Sequence, residues 1–398
     1  MQGEMMHFSH LKRLVFITFC ISFKIYTQDP LKILFVVRLF PRLSQTFILD
    51  QMTGLIDRGH KVTIYSLKDV DVEKLDHIQS DISKYNLLEK TYYSNNIPNL
   101  NDFDIIFIQF GNLTEAILHE ARKQQYQGKI VVCFRGHDLT GYVKENPYFY
   151  RNIFPQIDLC LPVCDYFKQK LLHLHCPPEK IAVVYSPINT QLFEFKEERS
   201  SHKKTVHFIS VARLVRRKGL HIVIEALKKL KRYYPSFTYI IVGDGIERKR
   251  LEKQVIHNKL QKYVKFIGWT VREKIIDLLH QSDLFILPSI TSTEGDEEGI
   301  PNVLKEAMAV GVTVLATNHA GNSELIDNKN SGFLVNENSI SQVEKMLKYF
   351  IDNRQECQKL AYNARQKVET YFDIQVIISQ LEEHFYKLIH NSKQGEIE

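Results

Sequence analysis

Short apolar segments alternate with amphipathic segments along most of this 398-residue chain, and they form two series. The first series begins with KILFVV at Lys32 and continues with KVTIYSL, DIIFIQF, KIVVCF, IDLCLPV and KIAVVYS. The second begins with HFISVAR at His207 and continues with FTYIIVG, YVKFIG, SDLFILPS and TVLAT. Strands that alternate with helices form parallel sheets covered by helices. We therefore predict an α/β protein with two doubly wound, Rossmann-like domains that face a central cleft, where ligands bind beyond the carboxyl ends of the strands.

The domain limits follow from where each series begins and ends. We predict an N-terminal extension over 1–30, a first domain over 31–190 and a second domain over 205–372. The polar segment 191–204, QLFEFKEERSSHKK, is the predicted linker, and 373–398 is a predicted terminal helix and tail. Two domains of this size suit the length of the chain.

The composition is typical of a soluble globular protein and excludes some partners. Hydrophobic residues make up 44% of the chain, and the formal net charge is only +6. This charge favours anionic partners weakly, and no nucleic-acid-binding motif accompanies it, so we expect no nucleic-acid partner. The six cysteines are scattered, which suits the reducing cytoplasm, and their spacing matches no zinc signature. We predict no metal site.

The N-terminal extension leaves three interpretations open. Lys12 and Arg13 precede the apolar run LVFITFCISF, which has the length of a signal peptide but is short for a membrane span. Lys24 follows, without a small-residue cleavage site before Asp29. The segment is a cleaved signal, an anchor that lies on a membrane, or a loosely ordered extension.

Two cations flank the first turn of the second series, in SVARLVRRKGLHIVIEAL. Arg213 ends the strand, Lys218 precedes the helix, and Gly219 gives the turn conformational freedom. Both cations should therefore point into the cleft, where they could bind a diphosphate. We interpret the intervening Arg216 and Arg217 as solvated surface cations.

The segment EGIPNVLKE places two carboxylates, Glu298 and Glu306, at a loop-to-helix junction after an apolar strand. Carboxylates suit a ligand with hydroxyls, and the free main-chain amides of Asn302 and Val303 at the helix start suit a phosphate. A nucleotide sugar carries both groups. The competing interpretation is that Asp296, Glu297 and Glu298 belong to a solvated acidic loop.

Together these stretches resemble the family 4 retaining glycosyltransferases, which have the GT-B fold. The resemblance covers about Leu31 to Tyr386. VARLVRRKG resembles the donor-phosphate turn of the family, IVGDGIERKRLE its second strand-turn, EGIPNVLKEAMAVG its E-x7-E motif and ATNHAGNSELI its Gly-Glu turn. FPRLSQTFI resembles the N-terminal loop of a subgroup that builds exopolysaccharides, including colanic-acid-like polymers, and related surface glycans.

The resemblance implies transfer of a hexose-type sugar from a UDP- or GDP-sugar to a glycan or lipid-linked acceptor, with retention at the anomeric carbon and without a metal or other cofactor. Glu306 would bind the ribose and Glu298 the sugar hydroxyls. Arg213 and Lys218 would bind the departing diphosphate. The remaining donor-binding residues that it implies are Gly243, Gly245, Ile300, Asn302, Val303 and Glu324.

The chain departs from the family pattern on the acceptor side. The usual His-Gly-x-Asp reads Arg135-Gly136-His137-Asp138, so an arginine stands in the histidine position. We retain His137 and Asp138 as catalytic candidates, and Arg135 and Ser44 as acceptor-side candidates. At the domain junction the usual Gly-x-Asp is replaced by PIN at 187–189, which affects an expected hinge contact.

Two other functions remain open. An inactive scaffold on the same fold would explain Arg135, whereas a periplasmic-type sugar-binding protein would need a cleavable signal and has no use for Arg213 and Lys218. A further expectation concerns location. The helix surface formed by Lys228, Lys229, Lys231 and Arg232 suits contact with the anionic inner face of the plasma membrane, and the alternative is a solvated helix face.

Overall fold

The computed structural model describes residues 29–42, 45–68, 79–94, 96–196 and 204–394. The apolar run at 14–23, Ser44 and residues 197–203 of the predicted linker lie outside the described residues. Among the described helices, none is both long and apolar enough to cross a membrane.

The first half of the chain forms a parallel six-stranded sheet in the order β3-β2-β1-β4-β5-β6. Its strands are β1 (Lys32–Val37), β2 (Lys61–Ser66), β3 (Thr91–Tyr93), β4 (Ile105–Ile108), β5 (Lys129–Phe134) and β6 (Leu159–Pro162). Its helices are α1 (Thr46–Asp57), α2 (Gln79–Lys84), α3 (Thr114–Lys123), α4 (Gly141–Glu145) and α5 (Asp165–His173). The four residues of β4 are all buried, as expected for a central strand covered on both faces.

The second half forms another parallel six-stranded sheet, in the order β12-β11-β10-β7-β8-β9. Its strands are β7 (Val206–Val211), β8 (Phe237–Val242), β9 (Val264–Gly268), β10 (Leu284–Leu287), β11 (Thr313–Thr317) and β12 (Phe333–Val335). The helices that follow are α6 (Leu220–Leu230), α7 (Arg248–His257), α8 (Arg272–His280), α9 (Asn302–Ala309), α10 (Asn322–Leu325), α11 (Ile340–Asp352), α12 (Arg354–Tyr371) and α13 (Ile374–Gln394). The two predicted doubly wound sheets are thus confirmed.

The strand predictions were wrong at the edges of the sheets. KIAVVYS forms no strand, and only Ile181 makes an isolated bridge to Cys160. The edge strands β3 and β12 were not predicted, since each has only three residues and an alternating pattern cannot be recognised over that length.

The terminal helix α13 packs against the first half, although it follows the second half in sequence. Ile377, Ile378 and Leu381 are fully buried in the first core, and the Phe385 ring meets the Phe107 ring edge-on with 5.4 Å between centroids. The chain therefore crosses between the halves twice.

The two crossings lie side by side and hydrogen-bond to each other. The Ile188 amide donates to the Phe372 carbonyl at 2.9 Å, and the Ile374 amide donates back to the Ile188 carbonyl at 2.9 Å. The side chain of Thr190 donates to Asp373. The exact domain limits given above remain predictions.

Candidate active site

A cluster of cations and one carboxylate lies where β7 and β10 end. A single helical turn, Arg216–Lys218, leads into α6, and Gly219 makes the connection in a left-handed conformation with φ of 69°. This turn buries the Lys218 side chain and places its Nζ 2.5 Å from Glu298 Oε2. Arg217 Nε lies 3.3 Å from the other carboxylate oxygen of Glu298.

Burial and charge act against each other on Glu298. Burial alone raises the pKa of this carboxyl, but the neighbouring Lys218 and Arg217 outweigh it and hold the pKa at about 2. Burial also lowers the pKa of the Lys218 ammonium, and the attraction of Glu298 opposes that change. Glu298 is therefore ionised at neutral pH, and the cations beside it could also bind an anionic ligand.

The two intervening arginines behave differently from each other. Arg216 is exposed, as predicted. For Arg217 the prediction was wrong, because its guanidinium pairs with Glu298 and with Asp296 Oδ2 at 3.4 Å. Arg213 is exposed at the rim of the cluster, and its guanidinium has no hydrogen-bond or ion-pair partner among the described residues.

The acidic segment 296–298 reaches the first half of the protein. Asp296 Oδ1 lies 2.7 Å from His137 Nδ1. The next residue, Glu297, pairs with Lys170 Nζ at 2.7 Å and accepts a hydrogen bond from the Tyr166 hydroxyl at 2.9 Å. The interpretation of a solvated acidic loop is therefore wrong for these residues, and the carboxyl ends of the two sheets meet here.

Asp138 organises the loop that carries His137. Its carboxylate accepts hydrogen bonds from the main-chain amides of Gly111 at 2.9 Å and Gly136 at 2.7 Å, and from the amide of Arg135. Burial raises the pKa of Asp138, and these amides oppose the rise. The catalytic roles of His137 and Asp138 remain predictions. The hydrogen bonds to the Asp138 carboxylate come from main-chain amides, which is a structural role.

Arg135 is held by neutral partners within the first half. Its guanidinium donates to Gln109 Oε1 at 2.6 Å, to Ser186 Oγ at 2.8 Å and to Gln51 Oε1 at 2.9 Å. It also lies 4.5 Å from the centre of the Phe47 ring. The arginine in the histidine position is thus fixed by hydrogen bonds to neighbouring side chains, and its acceptor-side role stays a prediction.

Glu306 lies on α9 in a second charged group. Burial raises the pKa of Glu306, while Arg272 and Lys305 lower it. The facing helix α1 contributes Asp50, whose pKa burial raises to about 7 against the attraction of Arg272. A carboxylate from each half therefore lies near the same arginine.

Three predicted donor-binding residues lie around the start of α9, which begins at Asn302. The first-turn amides of Asn302 and Val303 have no acceptor within the helix. The Oδ1 atom of Asn302 is buried and has no hydrogen-bond partner among the described residues. An unpaired buried oxygen costs free energy unless a ligand or a water molecule donates a hydrogen bond to it. Ile300 packs against the cores of both halves.

Three other predicted donor-binding residues have structural contacts of their own. A β-carbon on Gly243 would lie 2.0 Å from the Ala212 carbonyl oxygen, and one on Gly245 would lie 2.5 Å from that of Leu214. These glycines therefore let the second strand-turn pack against the backbone around Arg213. Glu324 accepts hydrogen bonds from the first amides of α5, at 2.7 Å from Asp165 N and 2.9 Å from Tyr166 N.

Sequence reasoning missed four residues of this region, namely Asp296, Arg217, Lys305 and His319. Each lies within or next to a recognised motif, and this position in the sequence was the signal that could have identified them as site residues. Lys305 carried a further signal, because a lysine among the apolar residues of LKEAMA on a short helix is a candidate for burial.

Comparison with known proteins adds independent information. Residues 44–192 match the family model described as Glycosyltransferase Family 4, and residues 192–367 match Glycosyl transferases group 1. The colanic acid biosynthesis glycosyltransferase WcaL of Salmonella typhimurium is 32% identical, over 88% of this chain and 98% of its own length. The amylovoran biosynthesis glycosyltransferase AmsK of Erwinia amylovora is 30% identical, over 90% of this chain and 100% of its own.

A solved structure with a similar fold is that of HepE from Anabaena in complex with UDP. It superposes with a TM-score of 0.75 at 20% identity, and the match covers 90% of this chain and 100% of the other. At this identity the likeness concerns the fold.

Proposed function

The chain belongs to the group 1, family 4 glycosyltransferases of GT-B fold, and from this membership we propose that it transfers a hexose from a UDP- or GDP-sugar to a glycan or lipid-linked acceptor. The product would be part of a cell-surface polysaccharide. The relatives WcaL and AmsK are named for the biosynthesis of colanic acid and of amylovoran. The sugar-binding-protein alternative is wrong, because this family consists of glycosyltransferases.

One observation carries the proposal. Lys218 and Arg217 pair with the carboxylate of Glu298, shortly before α9, and Arg213 of the same strand-turn adds positive charge nearby. When a glycosidic bond to a nucleotide breaks, negative charge develops on the leaving diphosphate. Fixed cations stabilise that charge, and they can do so without a divalent ion. Glu298 remains available to accept hydrogen bonds from the sugar hydroxyls.

The stereochemical part of the proposal is retention by attack of the acceptor on the same face as the leaving group. The nearest carboxylate, Glu298, is engaged by two cations, which lower its nucleophilicity. The departing diphosphate oxygen can then take the proton of the acceptor. His137, held by Asp296, would approach from the opposite half.

We also propose that the basic surface on α6 and just beyond it contacts the inner face of the membrane. Of the four basic residues on α6 and just beyond it, Lys231 donates to the Asn258 carbonyl at 2.6 Å and Lys229 pairs with Glu344 at 3.8 Å. The contact would therefore depend on Lys228 and Arg232. Binding of wild type and of a variant without these two charges to vesicles with and without anionic lipid measures the contact.

Donor screening tests the function. Wild-type protein is mixed with a panel of UDP- and GDP-sugars, binding is followed by saturation-transfer NMR, and products are identified by mass spectrometry with and without EDTA. We expect one donor class to bind and to be transferred in EDTA, with an α-configured donor giving an α-linked product. Lys218→Met should lose roughly tenfold to a hundredfold in donor affinity, because a charge-assisted hydrogen bond contributes about 1.5–3 kcal/mol.

Arg216→Met is the matched control, since it removes a cation two positions away that is exposed to solvent. If no nucleotide sugar binds, or if Lys218→Met binds and transfers like wild type, the proposal is wrong. Binding without turnover across a broad acceptor panel would instead support the inactive scaffold.

A further inference from the structure

His319 lies behind Glu298 and contacts its backbone. It follows β11 by two residues and is almost fully buried, with 1% of its surface exposed. The Glu298 main-chain amide donates to His319 Nε2 at 3.3 Å. On the other side of the ring, His319 Nδ1 lies 2.6 Å from Glu337 Oε1.

These contacts define the tautomer of His319. A main-chain N–H can only donate, so Nε2 must carry a lone pair and the proton must lie on Nδ1. The Nδ1–H group then donates to the Glu337 carboxylate, which fixes the ring orientation. The histidine is therefore neutral in this arrangement.

The same Glu337 also holds the other end of the acidic loop. It accepts a hydrogen bond from the Thr291 amide at 2.9 Å. The histidine–glutamate pair thus contacts the loop between β10 and α9 at two places, residue 291 in its first part and residue 298 in its last part. Because hydrogen bonds to the backbone restrict the motion of a loop, this pair helps to fix where Glu298 lies, together with the ion pairs of the Glu298 side chain.

We infer that His319 is a positioning residue that places the Glu298 carboxylate for the donor sugar. The inference rests on the proposed function for the role of Glu298, but the contact to the backbone does not. Displacement of a substrate-binding group by about 1 Å is enough to cost about a hundredfold in activity. Loss of the His319 acceptor should therefore affect the sugar, which Glu298 would contact directly, more than the diphosphate, which the cations would contact.

Two substitutions separate the two ring nitrogens. In His319→Asn, the side-chain nitrogen corresponds to Nδ1 and can still donate to Glu337, but no acceptor reaches the Glu298 amide. In His319→Gln, the side-chain oxygen reaches the position of Nε2 and can accept from that amide. The asparagine variant should therefore lose the positioning function, and the glutamine variant should retain most of it.

The first measurement is hydrogen exchange, by mass spectrometry of peptides covering 291–300, which requires no ligand. We expect exchange at the Glu298 amide about tenfold faster in His319→Asn, the effect of one lost hydrogen bond, and less than about threefold faster in His319→Gln. Equal exchange rates in His319→Asn and wild type would overturn the positioning role of His319 without affecting the proposed function.

The second measurement compares UDP with UDP-glucose, and GDP with GDP-mannose, by calorimetry. In His319→Asn the affinity for the nucleotide sugar should fall about tenfold while that for the nucleoside diphosphate changes less than about twofold, and His319→Gln should recover most of the loss. Parallel loss of both affinities would indicate general damage and overturn the inference. Wild-type protein that binds none of the four compounds would overturn the proposed function, and with it the sugar-positioning role.

Discussion

Lys218 and Glu298 are 80 positions apart in the chain, yet the lysine ammonium lies 2.5 Å from the glutamate carboxylate. The sheet topology explains the contact. Strands β7 and β10 are neighbours, so the turn after β7 and the loop after β10 leave the sheet at the same edge. The fold therefore brings the pair together, and a diphosphate that binds these cations would compete with Glu298 for them.

Glu298→Gln should uncouple the binding of the diphosphate from that of the sugar. The substitution removes the carboxylate that neutralises Lys218 and Arg217, and the loss of one partner of a buried ion pair costs about 3–5 kcal/mol of stability. UDP can replace the missing charge. We therefore expect a lower Tm without ligand, a larger increase in Tm on addition of UDP than in wild type, and transfer at least about tenfold slower. An equal UDP-induced increase in both proteins would show that Glu298 does not compete with the diphosphate.

Gly219→Ala should disrupt the turn that carries Lys218. A β-carbon at this position would lie 1.8 Å from the Pro288 carbonyl oxygen, and the backbone has a positive φ of 69°. We expect a loss of about 3 kcal/mol or more in the free energy of unfolding, measured by urea denaturation, together with loss of UDP binding.

Gly59→Ala controls for the backbone conformation. Gly59 also has a positive φ, of 92°, but a β-carbon there would meet no atom within 4 Å. We expect Gly59→Ala to cost only about 1–2 kcal/mol and to leave UDP binding unchanged. Similar losses in the two variants would mean that the contact with Pro288 contributes nothing.

The sequence predicts those parts of the fold and the site that depend on local pattern. Apolar runs such as IIFI and LFIL predict central strands because both faces of such strands are buried. Lys218 and Glu298 could be paired because each follows a strand at the carboxyl edge of the same sheet. The resemblance to a known family then gave the chemistry.

The remaining contacts depend on how the two halves meet, which no local pattern encodes. Asp296 and His137 are 159 positions apart and follow strands of different sheets. The apolar side of α13 predicts that the helix packs on something, but the periodicity cannot distinguish the first half from the second. For His319, the sequence shows a histidine after a strand, and only the structure shows that its ring contacts the Glu298 backbone.

The contact between His137 and Asp296 should matter for turnover. A double-mutant cycle with His137→Ala, Asp296→Ala and the double variant should show a coupling of about 0.5–3 kcal/mol in kcat/KM, because each substitution alone already breaks the 2.7 Å contact. The comparison pair is His137 and Lys170, which contacts Glu297 and not Asp296. The effects of substituting His137 and Lys170 on kcat/KM should add to within about 0.5 kcal/mol. Additivity of His137 and Asp296 would show that their contact does not contribute to the reaction.

Lys305 lies where the chain crosses between the two halves, and it should make the free energy of unfolding depend on pH. Its side chain is fully buried, its ammonium donates to the Ser186 carbonyl at 2.5 Å, and it lies 5.5 Å from the centre of the Phe372 ring. Burial lowers the pKa of Lys305 from 10.5 to about 7, against the opposing attraction of Glu306. Between these two values the unfolded chain binds a proton at this lysine that the folded chain does not, so a rise in pH favours the folded state.

The comparison of wild type with Lys305→Met isolates this effect, because methionine has a similar shape and does not titrate. Below pH 7 both the folded and the unfolded chain carry the proton on Lys305, so the difference in the free energy of unfolding between the two proteins should be constant. From about pH 7 towards 10.5 the difference should change steadily in favour of wild type. Urea denaturation of both proteins at a series of pH values measures it. A difference that stays flat across this range would show that Lys305 remains charged in the folded protein, with Glu306 and the Ser186 carbonyl compensating for its burial.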